Sequence, residues 1–120
     1  MERSGGLSGV ENERHHYRIP CKIAVHIIDI HGMKTVGEIC DLTTNGACIR
    51  SNYPLRTKGL CVNLHFVANG VEVNVVGRVT GVYPGSRFGV QFIKIDPVYK
   101  LQIAAYLYMR MQVMGFRPPS

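Results

Sequence analysis

Asn69-Gly70 stands between two runs that read as strands, GLCVNLHFVANG ending at residue 70 and VEVNVVGRVTGV following it. Asn-Gly is the strongest short hairpin signal, because its tight turn needs positive φ at both central positions. In the second run Val71, Val73 and Val75 alternate onto one face, as a half-buried strand requires. A chain that commits to a hairpin here, with further strand-like runs on either side, has few folds open to it.

Those runs are easily found. CKIAVHIIDI is β-branched and ends at His31-Gly32; TVGEICDL and then ACIRS follow it, and RFGVQFIKI comes after a turn at Pro84-Gly85. Six strands with short connections predict a mainly β fold, a six-stranded antiparallel sheet curled into a barrel. The period then changes. Asp96 can cap a helix, Pro97 suits its first position, and VYKLQIAAYLYMRMQVM runs on to Gly115. Leu101, Ala105, Tyr108 and Met111 or Met114 form its expected apolar stripe, with Ile103, Ala104 and Leu107 beside it. That stripe is wider than one barrel flank needs. Core packing is the favoured reading, and the surplus could seat a second subunit, giving a homodimer through the C-terminal helix, or a partner protein.

At 120 residues the chain reads as one domain, with apolar content of 46%. No uncharged stretch approaches the roughly 20 residues of a membrane-spanning helix. The N-terminus MERSGGLSGVENE has no apolar segment, so it is not a secretory signal but a flexible Gly- and Ser-rich tail. A cytoplasmic location is expected. The four cysteines, Cys21, Cys40, Cys48 and Cys61, include no C-x-x-C pair. Reduced cysteines packed among strand residues are favoured over a metal or a disulfide. The net charge of +6 is spread along the chain rather than gathered in a basic arm. It fits an anionic ligand or an acidic partner as well as it fits a merely soluble surface.

Two short motifs carry chemistry. RHHYR, residues 14 to 18, puts Arg14 and Arg18 just ahead of the first strand, where Pro20 turns Ile19 toward extended backbone. DLTTNGA, residues 41 to 47, is a tight connection in which Gly46 is free to take a positive φ. Alone, the second is a turn whose Asp and Thr bond local backbone.

Together, Arg14, Arg18, Asp41, Thr43 and Gly46 fit R-x-x-x-R followed by [DN]-x-S-x-x-G, and the chain resembles the PilZ domain family. VGRVTGV is similar to that family's fifth strand, RFGVQF to its last, and the closing helix lies where the family keeps one. The resemblance covers most of residues 13 to 112. It implies a split-barrel type of PilZ fold: a tail over 1–13, a domain over 14–115 and a second tail over 116–120. Within the domain it implies a ligand loop at 14–19, a barrel at 20–95 and a helix at 96–115.

It also implies a bacterial receptor for the second messenger cyclic di-GMP, signalling to an unidentified effector protein in motility, exopolysaccharide or pilus control. The residue types suit that ligand. A guanidinium meets the O6 and N7 of guanine, or a phosphate, with two parallel bonds. The Asp41 carboxylate can accept from guanine N1-H and N2-H₂, and the Thr43 hydroxyl can add a contact. His15, Tyr17, Asn45 and Arg78 are secondary candidates. Thr43 stands where the family has serine, Glu13 where many members add an arginine, and Gly81 where many carry a tryptophan. Tyr17, His15 or His16 could replace that ring from the loop.

Two other readings remain open from sequence: a PilZ-like interaction module that binds no nucleotide, and a small nucleic-acid-binding barrel. The second is disfavoured because the strands carry Val and Ile rather than aromatic platforms. An enzyme is not expected, and neither is a cofactor or a metal. His26 and His65 read as packed or exposed singly. Glu38 and Asp41, three apart on one strand, are expected on opposite faces.

Overall fold

The computed structural model describes residues 18–53 and 57–115. Six strands form β1 (Ile19–Ile28), β2 (Lys34–Leu42), β3 (Gly46–Ser51), β4 (Cys61–Ala68), β5 (Val71–Tyr83) and β6 (Arg87–Ile95), followed by α1 (Pro97–Val113). The sheet closes on itself in the order β1-β2-β3-β6-β5-β4, every pairing antiparallel. Closure removes the sheet edges, which would otherwise expose unpaired backbone groups.

The hairpin forms at Asn69-Gly70, with φ of 54° and 76°. Gly32 at 81° and Gly85 at 80° take two more of the turns predicted from sequence. Val73 and Val75 point into the core, while Val71 at the strand's start is partly exposed. The barrel interior is filled from every strand, by Val25, Ile27, Ile39, Ile49, Leu64, Val79 and Phe88 among others. Ile19, expected in the loop, is already core, 1% exposed at the head of β1.

The helix is capped as expected, Asp96 Oδ1 accepting from Val98 N at 2.9 Å, but the face it buries is only in part the expected one. Ile103, Leu107 and Met111, at i, i+4 and i+8, enter the barrel core with Tyr99 and Tyr106 beside them. Of the predicted stripe Met111 is buried, with the flanking Ile103 and Leu107, while Leu101 and Tyr108 face outward, and that outward apolar surface is not core packing. The wide apolar arc left two faces open to sequence reasoning, and the barrel takes the one carrying Ile and Leu. The helix packs on β1, β4 and β5. It is tied at one end by Asn69 Nδ2 to Gln102 Oε1 at 3.3 Å and at the other by Arg110 Nη2 to the Pro20 carbonyl at 3.3 Å.

Among the described residues all four cysteines are unpaired, Cys21 and Cys48 buried and Cys40 and Cys61 partly so. No helix among them is long and apolar enough to cross a membrane.

Candidate functional site

Arg18 stands one residue ahead of β1 and Asp41 near the end of β2. Pro20 pairs with Asp41 in the ladder, which carries the N-terminal segment onto the end of β2. Arg18 Nη1 then donates to Asp41 Oδ1 at 2.8 Å. Arg14, His15 and Tyr17 lie outside the described residues.

Asp41 owes its direction to a bulge. Ile39 pairs with Ile49 and Asp41 with Cys48, so Cys40 is an extra residue on β2. Ile39 and Leu42, three apart, are consequently both fully buried. Their outward neighbours Glu38 and Asp41 share the outer face instead of opposing each other, as strict alternation had predicted. Each holds an arginine there, Glu38 Oε1 accepting from Arg50 Nη1 at 3.4 Å.

The turn after Asp41 is built by Thr43. Its hydroxyl oxygen accepts from the backbone N–H of Asn45 and of Gly46, both at 3.0 Å, and donates to the Gly46 carbonyl at 3.3 Å. One donor and two acceptor sites are all that a hydroxyl has, so Thr43 holds the turn and is already saturated. The Asn45 carbonyl accepts from Phe92 N at 2.8 Å, tying the turn to β6. Gly46 is glycine because of crowding rather than backbone sign. Its φ is not in the left-handed region, and a Cβ there would fall on the Val90 carbonyl oxygen.

From Asp41 a row of small outward residues crosses the barrel: Asp41 pairs with Cys48, Cys48 with Gly89, and Gly89 with Gly81. Arg50 and Arg87, paired with each other, flank the row on one side, and Gln91 and Arg78, also paired, flank it on the other. Burial pushes the Cys48 thiol pKa up, Asp41 and Cys40 add to this, and Arg87 and Arg18 oppose it. Arg78 is exposed on this face, but three strand spacings, roughly 14 Å, separate β5 from Asp41 on β2.

At the far end lies a ring that the sequence reading missed. A Cβ on Gly81 would come within 2.7 Å of the Tyr83 hydroxyl and 3.0 Å of its Cζ, and one on Gly89 within 3.5 Å of Cε2. The Tyr83 ring therefore folds back across both glycines and remains half exposed. Two-residue alternation along β5 carries the signal: an aromatic at position 83 shares a face with position 81.

His26 and His65 are not separate surface residues, since they pair directly across β1 and β4, and both are exposed. No group of three or more His, Cys, Asp or Glu stands together among the described residues. A groove of about 660 Å³ opens beside this pair, between Lys22, Glu72 and Tyr106. It lies away from the motif residues.

The PilZ domain model matches residues 12–109. The chain belongs to the PilZ domain family. Solved structures agree on the fold. The PilZ domain of CeSA from a cellulose-synthesising bacterium aligns with a TM-score of 0.62 and 21% identity, over 82% of this chain and 96% of that one. The PilZ domain of YcgR from Escherichia coli, determined with c-di-GMP, gives 0.64 and 10%, over 87% and 98%. PlzA from Borreliella burgdorferi, in complex with c-di-GMP, gives 0.64 and 23%, over 81% of this chain and 42% of that longer one. A comparison with curated proteins gave no match.

Proposed function

We propose that this PilZ domain is a cyclic di-GMP receptor that binds its ligand on the outer face running from Arg18 and Asp41 toward Tyr83. The observation that carries the reading is the Arg18–Asp41 contact at 2.8 Å, which joins two motifs 23 residues apart beside the Thr43–Gly46 turn. The pair is a preformed donor–acceptor set. Asp41 accepts from the Watson–Crick edge of a guanine, and Arg18, with Arg14 from the preceding segment, meets a phosphate or the O6 and N7 edge. Thr43 and Gly46 shape the turn that lets the ligand approach, Asn45 lies within that turn, and Arg78 stands on the same outer face two strands from Gly46. Tyr83 offers the aromatic face that a tryptophan at position 81 would have supplied.

The energies favour joint action. Each backbone residue that binding fixes costs about 1–2 kcal/mol, and each charge-assisted hydrogen bond returns roughly 1.5–3 kcal/mol. The arginines alone offset the ordering, and Asp41 with base stacking supplies the net affinity, which for micromolar binding is about 8 kcal/mol. A ligand-dependent rearrangement of the segment ahead of β1 relays the signal to an effector protein.

Isothermal titration of cyclic di-GMP into wild type, Arg14→Ala and Arg18→Ala tests this. Saturable heat in wild type, lost in both variants, is the expected result. Silence from folded wild-type protein would leave a PilZ-shaped interaction module instead.

A further inference from the structure

The helix face turned away from the barrel has an organisation of its own. Val98, Leu101, Ala105, Tyr108 and Gln112 recur at alternating spacings of three and four, the seam of a helix that packs against another helix. Met109 and Val113 widen it on one side. Val98, Leu101, Tyr108, Met109 and Val113 are each between 56% and 78% exposed, while Ile103, Leu107 and Met111 already satisfy the barrel from the opposite side. Solvent-facing helix positions of a chain this basic would ordinarily carry charge. Neither of the helix's cations, Lys100 and Arg110, lies on the seam.

We propose that this seam is a homodimer interface, occupied by the same helix of a second copy running antiparallel about Ala105. The spacing is nearly symmetric about that residue. A two-fold axis through it sets Ala105 against Ala105, Leu101 against Tyr108 and Val98 against Gln112, the self-complementarity that a two-fold interface demands. A small side chain at the centre lets the axes approach within the 8–10 Å usual for packed helices, an order-of-magnitude figure of about one helix diameter. Val98, Leu101 and Tyr108 are each more than half exposed along the seam, with Met109 and Val113 beside them, and this is the apolar surface that a second copy of the helix covers. Because the seam is uncharged, two chains of net charge +6 meet there without opposing like charges.

The test is sedimentation velocity from low micromolar to several hundred micromolar. Wild type is expected to pass from monomer to dimer across that range. Leu101→Glu and Tyr108→Glu should each raise the dissociation constant by about tenfold or more, with circular dichroism and melting temperature unchanged because both positions are exposed. Val36→Glu, 64% exposed on β2 and outside the three strands the helix packs on, should leave association intact. Mixing the Leu101→Glu chain with a Tyr108→Lys chain should restore dimers, since the antiparallel arrangement brings the introduced carboxylate against the introduced ammonium. A monomer at every concentration would overturn the proposal and hand the seam to a different protein. So would a dimer insensitive to both glutamates, and a mixture that fails to associate would overturn the antiparallel arrangement.

Discussion

Arg18 and Asp41 meet at 2.8 Å across 23 residues of chain, on the surface, with the arginine side chain 68% exposed. Exposed ion pairs contribute about 0–1 kcal/mol to stability, so this contact is inexpensive to open and does little for the fold. Arg18→Ala is expected to lower the melting temperature by no more than about 5 °C while weakening cyclic di-GMP binding by roughly 100-fold. Asp41→Asn should do the same. Differential scanning calorimetry and titration on the same preparations check this; parallel losses of stability and binding would make the pair structural.

The turn residues reverse that pattern. Thr43→Ala leaves the N–H groups of Asn45 and Gly46 without their shared acceptor, a loss of roughly 1–3 kcal/mol. Thr43→Ser keeps the hydroxyl and should recover most of it. Gly46→Ala drives a methyl into the Val90 carbonyl, which is backbone and cannot rotate away, so a cost of about 1–3 kcal/mol or more is expected. Urea denaturation midpoints separate the three variants.

Much of this was legible in the sequence because it is local. Strand alternation, the Asn69-Gly70 turn and the Asp96 cap each depend on a few neighbouring residues, and each formed where expected. What escaped depends on register. Nothing in ICDL announces that Cys40 is an extra residue, yet that bulge alone puts Asp41 on the same face as Glu38. Tyr83 was missed for a related reason: its importance lies in two glycines, 81 and 89, that only strand pairing brings beneath its ring. The helix presented two apolar arcs, and periodicity by itself does not say which one a barrel will bury.

Among the described residues, the Tyr53 hydroxyl and Asp29 Oδ2 are both buried without a hydrogen-bond partner. Burial pushes the Tyr53 pKa up, and the Asp29 carboxylate adds to this. Asp29 Oδ1 is fully engaged, accepting from the N–H of His31 and of Met33 at 2.9 Å. Tyr53→Phe is therefore expected to be neutral or stabilising by up to about 1 kcal/mol, and Asp29→Ala to cost roughly 1–3 kcal/mol. A destabilised Tyr53→Phe protein would mean that the hydroxyl is bonded in solution.

Alkaline stability should depend on Cys21. Burial lifts its thiol pKa from 9.0 to about 11, with Arg110 lowering it and Asp41 and Cys40 raising it. The folded state thus holds its proton more tightly than the unfolded chain. Its contribution is complete below pH 9 and is lost as pH rises through about 11, a change on the order of 2 kcal/mol. Cys21→Ala should flatten the fall in unfolding free energy over that interval relative to wild type. Identical pH profiles would mean that the thiol does not titrate differently on folding.

Tyr83 separates stacking from electrostatics at the proposed ligand face. Its ring covers Gly81 and Gly89 and is 48% exposed, so a base can lie on it without displacing core. Base–aromatic stacking is worth about 1–3 kcal/mol, and Tyr83→Ala should weaken cyclic di-GMP binding roughly 5- to 150-fold with little change in melting temperature. Tyr83→Phe keeps the π face and should retain most of the affinity, and Tyr83→Trp should match or exceed it. The salt dependence of binding is set by Arg14 and Arg18 and should be unchanged in all three. Titrations at low and high salt read both quantities. If Tyr83→Ala bound as wild type does, the ligand would end at Cys48 and Gly89 and leave the ring untouched.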